Sequence, residues 1–194
     1  MSIKRRRERE RAERERLIVA AALRLAEAEG WDAVTTRRLA AEIEYSQPVL
    51  YSHFEGKGAI TAAVAVRGCA DLAAELGAAI TAAGGDRRAS LVALAETYTS
   101  FGWRRPALYD AMFTHLVDLP FATDEAPEPL RGAFGEMLRV VEPITAEGED
   151  PGLLTETFWA ALHGLVTLTR GGRLPEPAHE RRLTLLIDHF AGSA

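Results

Sequence analysis

Apolar residues recur in this chain at helical spacing and almost nowhere else, and that pattern removes most folds. Ile18, Ala21, Ala22, Leu25 and Ala26 follow at i, i+3, i+4, i+7 and i+8, the spacing that lines one face of a helix. Leu154, Phe158, Ala161, Leu165 and Leu168 repeat it near the other end. No run of alternating β-branched residues marks a strand. Alanine is abundant and aromatic residues make up only 7%, which favours helices over sheets. The expectation is an all-α protein without internal repeats.

Chain breakers divide this pattern into helices. Gly30 stops the first in a C′ position, and Trp31, Ala33 and Val34 form a short connection. Thr35 or Thr36 offers an N-cap hydroxyl for a short second helix with Leu39, Ala40 and Ile43 on its apolar face. Glu44, Tyr45 and Ser46 form a turn, with Ser46 as N-cap of a third helix over Gln47–His53. Pro48 lies in the first turn of that helix, where its missing N–H costs little. Lys57 opens a long fourth helix to about Ala83, closed by Gly84-Gly85-Asp86. Further helices are expected over Arg87–Arg105, Leu108–Leu116, Leu130–Val141, Leu153–Thr169 and Ala178–Phe190. Pro106 ends or kinks the first of these, and a Pro- and acid-rich loop spans Asp118–Pro129.

Charge and cysteine content exclude several classes. The 194 residues carry a formal net charge of −5, but it is unevenly spread. Residues 1–60 hold twelve Lys or Arg and ten Asp or Glu, whereas residues 61–194 hold eleven and eighteen. Residues 4–16, KRRRERERAERER, are the most charged stretch. They can form a solvated helix held by i,i+4 pairs such as Glu10 with Arg14. They read either as a solubilising leader or as an arm for phosphates or the minor groove. The single Cys69 allows neither an internal disulfide nor a CxxC metal site, and it reads as a small core residue. No apolar h-region follows the charged start and no run reaches the roughly 18 apolar residues of a membrane span. The expected location is cytoplasmic, with no membrane partner.

Two short helices joined by a tight turn form a helix-turn-helix unit, whose second helix reads base edges in the major groove. Of the third helix, Gln47, Val49, Tyr51, Ser52 and His53 are expected to be exposed. Gln pairs with adenine, Ser with several bases, and Val can touch a thymine methyl. Tyr51, His53 and Lys57 can donate to phosphates, which fixes register. The span TTRRLAAEIEYSQPVLYSHFEGKGAI closely resembles the DNA-binding motif of the tetracycline-repressor-like (TetR) family of bacterial regulators. The likeness rests on Thr36, Leu39-Ala40, Ser46, Leu50-Tyr51, His53-Phe54 and Lys57, and on Glu29-Gly30 ending the helix before.

The resemblance implies an all-helical homodimer on a palindromic double-stranded operator. Its segments would be a charged arm (1–16), a three-helix DNA-binding domain (17–56) and a larger effector-binding and dimerisation domain (57–194). The implied DNA-facing set is Thr36, Arg37, Gln47, Pro48, Val49, Tyr51, Ser52, His53 and Lys57. The chain departs from the family at the turn, where Glu44 replaces the usual Gly. A left-handed backbone there costs Glu about 1 kcal/mol or more over Gly. Pro48 and Val49 replace the commoner Gly and Thr.

Beyond the motif, Trp159, His163 and Gly164 in WAALHG are similar to a Trp-His-Gly C-terminal subtype of the same family. Tyr98, Phe101, Trp103, Tyr109, Met112 and Phe113 cluster in sequence. With Trp159 and His163 they either fill the core or line a pocket for an apolar or aromatic effector. His115 and His163 lack the spacing of a metal site, and no cofactor is implied. No Ser-His-Asp order, Gly-rich phosphate loop or metal cluster suggests an enzyme. The reading is a repressor released from its operator by a small molecule. The alternative is a helical adaptor that has lost DNA binding.

Overall fold

The computed structural model describes residues 3–115, 117–120, 123 and 125–192. Among these residues every regular element is helical. The α-helices are α1 (Ile3–Glu29), α2 (Thr36–Glu42), α3 (Gln47–Tyr51), α4 (Lys57–Ala82), α5 (Arg87–Arg104), α6 (Pro106–Phe113), α7 (Glu128–Val141), α8 (Pro151–Arg170) and α9 (His179–Ala191). They form two compact units. One takes the described residues up to Gly68 together with those in Arg105–Glu125; the other takes Cys69–Arg104 and those from Ala126 onward. Packing thus divides the chain along lines other than the expected functional segments, because α4 contributes residues to both units.

In the first unit the charged run and the first apolar stripe are one continuous helix. Ile18, Ala21, Ala22, Leu25 and Ala26 of α1 are buried, as their spacing requires. Residues 3–14 are exposed throughout. Ion pairs along the helix support this stretch: Arg6 with Glu10 and Arg11 with Glu15, each at 2.8 Å, and Arg16 with Glu13. Glu10 bonds Arg6 rather than the expected Arg14; it lies four residues from both, and either pairing is worth only a few tenths of a kcal/mol.

Gly30, at φ 83°, ends α1 in a conformation that favours glycine. A 3-10 turn, Trp31–Ala33, follows. The buried Trp31 indole donates from Nε1 to the Ala107 carbonyl at 2.8 Å. The Glu27 carboxylate accepts from the amides of Ala107 and Leu108 at 3.2 and 3.3 Å, satisfying first-turn donors of α6 and complementing its dipole. Pro106 does not merely stop α5; it opens α6 at a position where no amide is needed. The structure therefore starts α6 two residues before the expected Leu108 and ends it at Phe113; Leu116 lies outside the described residues.

In the second unit α5 packs on α7, α8 and α9. Leu91, Leu94, Tyr98 and Phe101 form its buried face. Phe158 of α8 meets Phe190 of α9 edge-on, with centroids 4.7 Å apart. Asp150 caps α8, its carboxylate accepting from Gly152 and Leu153. Cys69 is buried and burial pushes its thiol up to about 12, so it stays protonated and inert. Among the described residues no helix is long and apolar enough to cross a membrane.

Replacing Trp31 by Phe keeps most of the packing but leaves the Ala107 carbonyl without its donor. The expected loss is about 1–3 kcal/mol, measured as the shift in urea midpoint. An unchanged midpoint would show that the indole bond contributes nothing net.

Candidate nucleic-acid interface

The site is built by a helix, a reversal and a second helix in the first unit. Thr35 caps α2, its Oγ1 accepting from the Arg38 amide at 3.2 Å. Leu39, Ala40 and Ile43 turn inward. At the end of α2 the Tyr45 amide donates to the Ala40 carbonyl at 2.8 Å and the Glu44 amide to Ala41 at 3.3 Å. This pair of bonds is a Schellman motif, which needs a left-handed residue at C′. Glu44 fills that position at φ 56° and is the sole non-glycine with positive φ among the described residues. The substitution at the turn therefore changes the residue without changing the geometry.

Ser46 holds the N-cap position of α3 with extended backbone, but its hydroxyl makes no capping bond. Its carbonyl accepts from Val49 and Leu50. Leu50 is fully buried and fixes the rotation of α3. Gln47, Pro48, Val49, Tyr51 and Ser52 are consequently exposed. The helix ends at Tyr51, two residues before the expected His53. Ser52 caps its end and donates from Oγ to the Val49 carbonyl at 2.6 Å.

The Thr36 and Tyr51 hydroxyls lie 3.2 Å apart, so α2 and α3 present them at one spot. Lys57, in the first turn of α4, donates from Nζ to the Trp31 carbonyl at 2.5 Å. His53 corrects the sequence expectation. Its side chain is only 6% exposed, with Nδ1 3.4 Å from the Glu15 carboxylate of α1. It sits between the end of α3 and α1 instead of pointing outward. Arg37 is exposed, whereas the adjacent Arg38 forks onto the Glu29 carboxylate and ties α2 to the end of α1. That hydrogen bond holds the Glu29 carboxyl below its usual range.

The expected ligand-binding residues are divided between the two units. Tyr109, Met112 and Phe113 belong to the first unit, where the Tyr109 and Phe113 rings meet at 4.9 Å. Tyr98, Phe101, Trp103, Trp159 and His163 belong to the second. The boundary between the units falls where α5 gives way to α6, at Arg104 and Arg105. Within the second unit Trp159 Nε1 donates to the Tyr98 hydroxyl at 2.8 Å, and His163 is half-buried one turn further along α8. Two surface clefts, of about 530 and 440 Å³, are lined by none of these eight residues. Among the described residues no three His, Cys, Asp or Glu side chains are grouped to hold a metal ion.

Sequence reasoning passed over His179. It is buried at the start of α9, edge-on to Trp103 with centroids 4.2 Å apart, and its Nε2 lies 3.4 Å from Thr99 Oγ1. Its Nδ1 has no protein partner. Only an i,i+4 reading of α9 that extended one turn toward the N-terminus would have found it.

A capped helix, a Schellman reversal and a second helix with one buried anchor and an exposed outer face define a helix-turn-helix DNA-binding module. The family model described as "Bacterial regulatory proteins, tetR family" matches residues 18–64. The one described as "Tetracyclin repressor-like, C-terminal domain" matches residues 91–190. An uncharacterized HTH-type transcriptional regulator of Mycobacterium tuberculosis is 32% identical over 158 residues, which cover 80% of this chain and 69% of that protein. A Rhodococcus sp. RHA1 protein of unknown function superposes with a TM-score of 0.76 at 27% identity, over 92% of this chain and 93% of that one. A TetR variant from Acinetobacter baumannii, solved with minocycline, gives 0.61 at 22% identity over 90% and 92%. This chain belongs to the TetR family and is a DNA-binding transcriptional regulator.

Glu44→Gly removes a strained left-handed residue and an exposed carboxylate. The expected gain is about 1 kcal/mol in stability, read from urea unfolding. A destabilised variant would mean that the Glu44 side chain makes a compensating contact. A second outcome concerns pH. Burial lowers the pKa of His163, and burial followed by nearby Arg182 lowers that of His179. Both are held neutral in the folded chain but titrate near 6.5 when unfolded. Their contribution is therefore present above about pH 6.5 and lost as pH falls from there toward the folded values. The thermal midpoint of the His163→Gln/His179→Gln double variant should fall less between pH 7 and 5 than that of the parent. Parallel curves would remove both residues from the pH response.

Proposed function

We propose that the chain is a homodimeric repressor that holds a palindromic operator and releases it when a small apolar or aromatic molecule binds. It acts in the cytoplasm, without enzymatic activity, metal or cofactor. The observation that carries the DNA half is the common exposure of Gln47, Pro48, Val49, Tyr51 and Ser52 around the buried Leu50. Gln47, Val49 and Ser52 are assigned to base edges and Pro48 to backbone shape. Thr36, Arg37, Tyr51 and Lys57 are assigned to phosphates. His53 acts indirectly, by seating α3 on α1 through Glu15.

Leu153 and Leu168 of α8 and Leu185 of α9 are large apolar residues left exposed. They support pairing of α8 and α9 with their two-fold mates as a four-helix interface. Two recognition helices one DNA turn apart, about 34–36 Å, would then meet the two half-sites. For the effector, the favoured anchor is the Trp159–Tyr98 pair, with His163 one turn further along α8 and Phe101 and Trp103 on α5. A ligand that binds better when the heads are misaligned shifts the population away from DNA.

Selection of bound duplexes from a random pool by the purified protein tests the reading and yields the operator. The recovered site should be palindromic and its affinity should fall steeply with salt. Tyr51→Ala, which removes a neutral hydroxyl, should weaken all sequences and leave the salt slope unchanged, whereas Gln47→Ala should cost about 1–3 kcal/mol at one base position only. No enrichment, or binding indifferent to both substitutions, defeats the proposal and favours the adaptor reading.

A further inference from the structure

The first four turns of α1 carry a charge pattern that the helix-turn-helix does not use. Residues 3–16 hold eight Lys or Arg and four Glu, a net of +4, while the rest of the chain carries −9. This concentration lies on one rigid helix that continues without a break into the core of the DNA-binding unit.

Helical periodicity sorts these charges by face. Ile18, Ala21, Ala22 and Leu25 are buried and mark the inner face of α1. Stepping back from Ile18 by alternating four and three residues gives Arg14, Arg11, Arg7 and Lys4, which share that face. The stripe that is apolar inside the unit thus continues as four basic residues where the helix runs beyond it, with Glu8 and Glu15 along one edge, and all four basic residues are exposed. Arg5, Arg9 and Arg16 form a second stripe, on the other side of the helix. The acids lie mainly in the two rows between.

The inner stripe is tied to the recognition helix. Glu15, one residue from Arg14, meets His53 at 3.4 Å, and His53 follows two residues after Tyr51. The extension therefore leaves the unit beside the C-terminal end of α3. From Lys4 to Arg14 it reaches about 15 Å. The pairs Arg11–Glu15 and Lys4–Glu8 are solvent-exposed, and exposed pairs of this kind exchange readily for phosphate.

We propose that Lys4, Arg7, Arg11 and Arg14 form a second DNA contact, a rigid basic stripe that lies along the phosphate backbone flanking the half-site read by α3. It is a continuation of α1 that binds as a helix. It supplies affinity and register but no base reading. The inference rests on the DNA-binding reading of α3, and its test separates the two.

The test uses the full-length protein and a duplex carrying the selected operator with long flanks. The inner triple Arg7→Gln/Arg11→Gln/Arg14→Gln is compared with the outer triple Arg5→Gln/Arg9→Gln/Arg16→Gln. Both remove three positive charges, and Gln keeps good helix propensity. The inner triple should lower the slope of log Kobs against log salt by about 2–3 per protomer and weaken binding at least about tenfold at 0.1 M salt. The outer triple should change the slope by less than about 1. Restoring Lys at positions 7, 11 and 14 should recover most of the slope, because phosphate contact needs the charge. Operator choice should be unchanged in all variants.

Equal losses from both triples would reduce the effect to unlocalised charge and overturn the stripe. An inner triple that binds operator like the parent would also overturn it, while leaving the role of α3 intact. Failure of the parent itself to bind any duplex would instead defeat the DNA reading on which the stripe rests. If the inner triple loses only its retention on vesicles with one-third anionic phospholipid, the stripe is a lipid contact and the proposal falls.

Discussion

The buried inner face of α1 is the constraint on which the DNA-binding unit depends. Helices α2 and α3 have seven and five residues, well below the roughly 12–15 needed for an isolated helix to persist in water. They exist because α2 packs on α1 and α3 packs on α2, with Leu39, Ala40 and Leu50 out of solvent. Ala21, Ala22 and Ala26 lie on the buried face of α1 that supports this unit. The Arg38 fork onto Glu29 and the His53–Glu15 contact then lock both short helices to the same support.

That support makes a costly turn tolerable. The Schellman reversal forces Glu44 into a left-handed conformation, and the surrounding burial holds it there. A residue strained in this way persists where the structure around it is over-determined. Glu44 is exposed and makes no contact that explains why Gly is absent.

Much of this was legible in the sequence because the signals were local. Gly30, Thr35, Pro48 and the apolar spacing of α1 each determine a neighbour within four residues. The left-handed backbone at Glu44 followed from the family resemblance. What stayed hidden depended on distant partners. His53 looked exposed because its neighbours in sequence are polar; its burial comes from Glu15, 38 residues earlier. Tyr98 to Phe113 read as one aromatic cluster because nothing local reveals that the break at Arg105 sends its two halves to different units. His179 was missed because the start of α9 is polar by composition, while its burial is set by Trp103 and Thr99.

The acidic total charge and the DNA-binding role are compatible once distance is considered. At physiological salt the Debye length is about 8 Å, so a phosphate responds to the residues nearest it and hardly to the remaining −9. The four glutamates within residues 3–16 have a physical use in this setting. A helix of eight cations would repel itself, and i,i+3 and i,i+4 partners hold it straight while no DNA is present. Each such pair contributes only tenths of a kcal/mol, so trading a carboxylate for a phosphate costs little at the moment of binding. Ordering the extension in advance also removes the entropy that a flexible arm would lose on docking. Alternation of Arg with Glu therefore favours a prefolded contact over a disordered basic tail, at lower non-specific affinity than eight unpaired cations would produce.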